Sequence, residues 1–228
     1  MKCKYCFKNR CIKKGVRNST QRYQCKNCSK YQLKDYKYKL FEINDEKNII
    51  SLNAEGVGIR SISRVLGYSK GTISRKILEL SKRVVRPIYA QYNQTYEVDE
   101  MCTFIGSNIP KNYVYITYAL NRKTKEVIDV VIGRRTKANL KIIINKLKVL
   151  NPKKIVTDKL ITYVDLIKPY THDTNKSRNN RIERANLTLR QQIKRLNRKT
   201  LSYSKSLKML EATLLLYFYW NNWQMKNY

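Results

Sequence analysis

Five of the six cysteines lie within the first 28 residues, and four of them form two Cys-x-x-Cys pairs, Cys3 with Cys6 and Cys25 with Cys28. Eighteen residues separate the pairs. At that spacing two tight turns can each present two thiolates to one tetrahedral zinc ion. Cys11 is a fifth sulfur that could replace a ligand, but it has no partner at knuckle spacing. Residues 1–34 hold no acidic residue and few large aliphatic ones, so this piece needs a staple to fold. We expect a zinc ribbon with one structural Zn²⁺ on Cys3, Cys6, Cys25 and Cys28, and short strands at Val16-Arg17-Asn18 and Gln21–Gln24.

Acidic residues are scarce, 16 in the whole chain, and three stand out by position. Asp99 falls on an expected strand. Asp158 falls at the C-terminal end of another, where open α/β sheets place their ligands. Glu183 falls near the start of a helix beginning around Asn180, and is the only acid between Lys176 and Lys208. Eleven Lys and Arg occupy that stretch, so an ordinary salt bridge is one reading of Glu183. Helical phase suggests another. Glu183, Asn186, Arg190 and Lys194 share a face, beside an apolar stripe of Ile182, Leu189, Ile193 and Leu196. Singly, Asp99 and Asp158 read equally well as strand-end or capping acids. Three carboxylates on one sheet edge would suit two Mg²⁺ or Mn²⁺ ions acting on a phosphodiester. The one histidine, His172, leaves no histidine pair for other chemistry, and reads as a solvated loop residue. Glu100 points to the strand face opposite Asp99 and is the weaker ligand candidate. Asp165 reads as a helix-surface acid.

The elements that must position these groups are legible as periodicity. A first helix is expected to begin around Ile49, Ile50 and Leu52. A second covers Gly58–Leu66, Gly67-Tyr68-Ser69 interrupts it, and a helix capped by Ser69 resumes at Lys70. This is a helix-turn-helix pattern, with Ile73 and Ile77 inward. Lys70, Thr72, Ser74, Arg75 and Lys76 would face bases and phosphates. Strands follow at Thr95–Ile105, Tyr113–Leu120 and Glu126–Gly133, then a helix over Thr136–Leu150. A short strand at Lys153–Thr157 and a helix to about Ile167 come next, and a strongly apolar helix spans Leu207–Trp220, which reads as core or an interface. That order predicts an α/β, RNase H-like mixed-sheet domain over residues 91–228. A zinc ribbon (1–34) and a helix-turn-helix module (35–90) precede it.

Charge limits the partners. Forty-eight Lys and Arg against 16 Asp and Glu give a net +32, for which a polyanion is the expected partner. A disordered basic tail is excluded by 42% hydrophobic residues and only 7 Gly and 4 Pro. The N-terminus shows no apolar secretory segment, and the longest apolar run, Leu214–Trp220, is too short to span a bilayer. A cytoplasmic, nucleoid-associated protein with no membrane contact is expected, its cysteines thiols or metal ligands.

The segment YEVDEMCTFIG, the pair Thr157-Asp158, the run from Asn180 to Arg190 and the tail from Ile193 to Leu207 resemble the insertion-sequence-one family of DDE transposases. The 24 residues between Asp158 and Glu183 and a basic residue seven after Glu183 match that family's pattern. The cysteine pairs and helix-turn-helix resemble its DNA-binding part. Two positions depart: Cys102 stands where the family has Trp, and Ala185 where it has Asn. The resemblance implies that Asp99, Asp158 and Glu183 hold two Mg²⁺ and that Arg190 contacts terminal DNA. It implies binding of the element's terminal inverted repeats, cleavage there, joining to target DNA, and a homodimer or higher oligomer. The apolar C-terminal helix is a candidate contact between copies. A catalytically inactive DNA-binding regulator and an RNase H-type nuclease are the alternatives.

Overall fold

The computed structural model describes residues 1–35, 41, 43–84, 92–175 and 180–226. The chain forms two units, Met1–Glu42 and Ile43–Tyr228. The boundary expected at 90/91 lies outside the described residues.

The first unit is a three-stranded antiparallel sheet in the order β1 (Cys11–Arg17), β2 (Thr20–Cys25), β3 (Tyr31–Leu33). Asn18 and Ser19, both at positive φ (50° and 60°), make the two-residue turn that pairs Arg17 with Thr20. Left-handed backbone at both turn positions matches the twist of the flanking strands. The buried Gln32 ties β3 to the N-terminus, donating to the Lys2 carbonyl (3.1 Å) and accepting from the Lys4 N–H (2.7 Å). Aromatic side chains stay outside under cations, Arg22 over Tyr31 and Lys30 over Tyr5. Cys3 and Cys25 are fully buried, so the sulfurs stand where a larger domain would have an apolar core.

The second unit opens with α1 (Ile43–Ala54), α2 (Ile59–Leu66) and α3 (Lys70–Arg83). α1 starts six residues before the expected Ile49, and Asp45 and Glu46 in its first turn complement the helix dipole. Gly67 closes α2 in the left-handed conformation (φ 72°), which favours glycine. Ser69 caps α3 by accepting from the Thr72 N–H. Ile62, Ile73 and Ile77 are fully buried, so the helix-turn-helix has a packed interior.

The main sheet comprises β4 (Thr95–Phe104), β5 (Tyr113–Asn121), β6 (Val127–Gly133), β7 (Lys154–Val156) and β8 (His172–Asp173). Its order is β6-β5-β4-β7-β8. The first three strands run antiparallel, and β4, β7 and β8 run parallel. That is the RNase H-like arrangement, with a fifth, edge strand beyond the four expected. α4 (Lys137–Val149) and α5 (Ile161–Ile167) pack on one face around Tyr96, Val98 and Ile155. α6 (Asn180–Gln192) and α7 (Leu207–Lys226) pack on the other around Met101, Ile116 and Tyr118.

Two expectations change here, and a third, open between core and interface, is decided for the core. His172 is a half-buried strand residue bonded to Thr157 (2.8 Å), because parallel pairing with β7 draws the segment onto the sheet edge. α6 stops at Gln192 and a 3-10 turn covers Lys194–Leu196, so Lys194 leaves the helical phase shared by Glu183, Asn186 and Arg190. α7 is an internal element: Leu210, Leu214, Tyr217 and Phe218 belong to the sheet's core, while α1 and α3 contact the same helix. Its described apolar face is therefore occupied within one copy.

Candidate active site and cysteine cluster

The cysteine site is built from two knuckles. Among the described residues, Cys3, Cys6, Cys25 and Cys28 are the one group of potential metal ligands whose donor atoms all lie within 4.8 Å of one another. Cys3 and Cys28 approach to 3.6 Å through sulfur, as do Cys6 and Cys25. Tetrahedral zinc with bonds of about 2.3 Å sets its sulfurs roughly 3.8 Å apart, so this set fits such an ion. The Tyr5 and Asn27 N–H groups donate to the Cys3 and Cys25 sulfurs, each at 3.4 Å. Backbone N–H donation, led by that of Cys28, draws the Cys25 thiol down to about 6, toward the ligating thiolate. Cys11 opens β1 opposite Cys25 and lies outside the group.

The carboxylates sit where β4, β7 and α6 meet. Alternation along β4 sends Glu97, Asp99 and Met101 toward α6, and Val98 and Glu100 toward α4 and α5. The Asn186 amide donates to Asp99 Oδ2 (2.7 Å), and the Tyr118 hydroxyl donates to Asn186 Oδ1 (2.8 Å). The Glu100 N–H donates to Asp99 Oδ1 (2.8 Å). Burial first, then the charges of Asp158 and Glu100, push Asp99 up to about 6, against those two hydrogen bonds.

Asp158 follows β7. It accepts the Leu160 N–H (3.0 Å) and lies 3.5 Å from Arg135, which also grips Glu100 at 2.7 Å. The Tyr163 hydroxyl holds the other Glu100 oxygen (2.7 Å). Glu100 is thus a partner of Arg135 and Tyr163.

Glu183 is exposed and has no hydrogen bond or ion pair among the described residues. The salt-bridge reading of it fails there. It lies one helical turn before Asn186, a rise of about 4.5 Å, on the helix that Asn186 fastens to Asp99. Leu189 and Ile182 anchor that helix in the core.

The first turn of α6 has a further anchor that sequence reasoning passed over. Glu97 is fully buried, and its Oε2 accepts the Ile182 N–H (3.0 Å). Arg122 Nε stands 3.5 Å from Oε1, an ion-pair distance without a hydrogen bond. The period-two spacing of Glu97 and Asp99 was the available signal. Arg190, half-buried, donates to the carbonyls of Leu196 (3.0 Å) and Cys102 (3.4 Å), pinning the end of α6 to β4.

In the helix-turn-helix, Lys70 and Arg75 are exposed, and Thr72 and Ser74 half-buried. Lys76 is held by Glu46 (3.7 Å) and Glu79 (3.1 Å), so any DNA contact would compete with two carboxylates. Lys194 is exposed.

Residues 94–224 match the IS1 transposase family. The chain belongs to that family. The match covers the whole sheet and α6. Among curated IS1 relatives, the iso-IS1n protein InsB of Shigella dysenteriae is 35% identical over 118 residues, spanning 52% of this chain and 88% of that one. The IS1 4 protein InsB of Escherichia coli (strain K12) is 34% identical over the same length, spanning 52% and 70%. Two solved structures are also similar. One is the HTLV-2 integrase catalytic core domain in complex with magnesium: 14% identity, TM-score 0.39, covering 56% of this chain and 84% of that one. The other is a simian T-cell lymphotropic virus intasome with the PP2A regulatory subunit B56 gamma: 13%, 0.37, covering 74% and 67%. The two departures from the IS1 pattern are structurally quiet. Cys102 sits on β4 opposite Tyr115, and Ala185 packs against the core. No helix among the described residues is long and apolar enough to cross a membrane.

Proposed function

We propose that this IS1-family chain binds the terminal inverted repeats of its element, cuts the DNA there and joins the freed ends to target DNA. What supports the reading is one convergence. Asp99 lies within β4, two residues past its parallel pairing with β7, and Asp158 lies two residues past the end of β7, close enough for their charges to oppose each other, while Glu183, unpaired among the described residues, lies one turn before the Asn186 that bonds Asp99. A carboxylate pair crowded in this way is relieved by a hard cation, and its oxygens are the donors such ions take. Two Mg²⁺ or Mn²⁺ ions on Asp99, Asp158 and Glu183 would activate a water or a 3′-hydroxyl and stabilise the leaving oxygen.

The rest of the site prepares that edge. Asn186 fixes the orientation of Asp99, and Arg135 balances the charge of Asp158 and Glu100. Glu97 and Arg190 fix the two ends of α6 and so place Glu183. In this reading Arg190 and Lys194 border the DNA beside the cut. Lys70, Thr72, Ser74 and Arg75 read the repeat, with Lys76 available once released from Glu46 and Glu79. The cysteine unit, stapled by one Zn²⁺, adds further basic surface, and the affinity should fall steeply with salt. Synapsis of two ends needs at least two copies. The reaction would take place in the cytoplasm, on the nucleoid.

The test is incubation of the full chain with duplexes carrying the element's ends, in Mg²⁺ or Mn²⁺. Nicking at the repeat boundary and joined products are expected. Binding of those ends with no cleavage under either metal would sink the enzyme reading and leave a DNA-binding regulator. Cleavage of any RNA–DNA hybrid without end preference would mark a nuclease.

A further inference from the structure

A cleft of about 440 Å³ lies between the turn joining α1 to α2 and the end of α6. One wall is a close backbone approach. Gly56 (φ 71°) lies so near Gln192 that a Cβ there would stand 1.8 Å from the Gln192 carbonyl oxygen. Only glycine allows the helix-turn-helix to sit this tightly on the catalytic helix. The buried Asn53 amide adds a bond from α1 to the Thr213 carbonyl on α7 (3.0 Å).

The cleft is lined by donors that lack acceptors. Arg195 is half-buried in it and makes no hydrogen bond or ion pair among the described residues. Burial alone shifts its guanidinium, downward, with no carboxylate opposing. Thr213 is 3% exposed and lines the cleft, and its Oγ1 is buried with no partner. The N-terminus of α2 opens here too. Its cap residue, Gly58, offers no side chain to the first helical N–H groups. Ser61 accepts from Arg64 (3.1 Å), which leaves its own proton to give. Lys194 stands exposed at the rim, and Glu55, also exposed, is the one acid there.

Leaving a half-buried guanidinium and a buried hydroxyl without acceptors costs stability. One ligand chemistry answers all of these groups together: a tetrahedral oxyanion, which takes a forked guanidinium, hydroxyl protons and a helix N-terminus. α2 is the first helix of the helix-turn-helix, the one that crosses the DNA backbone when the second helix enters the major groove. The geometry points to a seat for one DNA backbone phosphate in this cleft, with Arg195 as its main ligand. This deepens the proposed function and rests on its DNA-binding half. Because the cleft wall is the end of α6, the same phosphate would register the recognition helices and the Glu183 helix on one duplex.

The experiment measures binding of the full chain to an end-bearing duplex and to an unrelated duplex across a salt series. Arg195→Met, Arg195→Lys and, as a control for exposed charge, Lys208→Met are compared with wild type. Arg195→Met is expected to weaken binding to both duplexes about tenfold and to lower the salt slope by about 1. Its Tm should hold or rise, since an unpartnered half-buried cation is removed. Arg195→Lys should keep the slope and lose affinity only a few-fold, and Lys208→Met should match wild type. Affinity and slope unchanged in Arg195→Met, or a loss matched by Lys208→Met, would overturn the seat, as would a wild-type chain that binds no DNA. If Arg195→Met does not fold, Arg195→Lys decides, and full wild-type affinity there overturns the forked contact. End binding without cleavage would sink the transposase reading and leave the seat standing. Cleavage with Arg195→Met binding like wild type would do the reverse.

Discussion

The two candidate metal sites are built on opposite plans. The cysteine site is closed: four sulfurs within 4.8 Å of one another, two of them fully buried, on turns close in sequence. The carboxylate site is open. Its acids come from three elements, are not gathered that closely, and include the exposed Glu183. A structural ion needs a complete set of protein ligands, because its binding energy is the folding energy of its domain. A catalytic ion needs room for water and substrate, so its ligands are held apart by the scaffold until the reacting group completes the set. The hydrogen bonds follow this division. In the first unit backbone N–H groups point at sulfur. In the second, Asn186, Glu97, Arg135 and Arg190 hold strand and helix, and so set where the carboxylates stand.

Five substitutions can break or sharpen that contrast. Asp158→Ala should lower end cleavage by about a thousandfold or more, measured on labelled duplexes, with DNA binding intact. Cys25→Ser, or chelation of zinc, should unfold the first unit, read by limited proteolysis, while the sheet domain stays protected. Cys11→Ser should leave the zinc stoichiometry at one, and a fall would move the ligand assignment. Asn186→Ala should slow cleavage roughly tenfold while costing about 1 kcal/mol of stability, since it frees Asp99 without removing a ligand. Ser69→Ala should cost about 1 kcal/mol and leave cleavage of pre-bound ends unchanged. A cleavage defect as large as that of Asp158→Ala would mean that the recognition helices shape the open site directly.

The same contrast explains what could be read from sequence. The cysteine spacing and the Gly67-Ser69 turn are local features, and each is written within a few residues. The main strands follow from alternation and apolar runs, which a two-residue period records. Partnerships across the fold leave no such trace. Asn186 meets Asp99 over 87 positions and Glu97 meets the Ile182 N–H over 85. Neither can be located before the helix is docked on the sheet. His172 looked like a loop residue because a two-residue strand has no period to detect, and only its pairing with β7 defines it. α7 read as either core or a contact between copies because its apolar surface is broad. That breadth serves two internal neighbours, the sheet on one side and α1 and α3 on the other. Lys194 lost its place in the helical phase because the chain tightens into a 3-10 turn after Gln192.

Glu183 carries the central claim, since it alone among the three acids is exposed and unpaired among the described residues, and its role as a ligand rests on its place one turn from Asn186. The direct measurement is cleavage of an end-bearing duplex by the full chain with Glu183→Gln, in Mg²⁺ and in Mn²⁺, beside its affinity for the same duplex. The account predicts wild-type affinity and no detectable strand cleavage in either metal. Cleavage at the wild-type rate would contradict it.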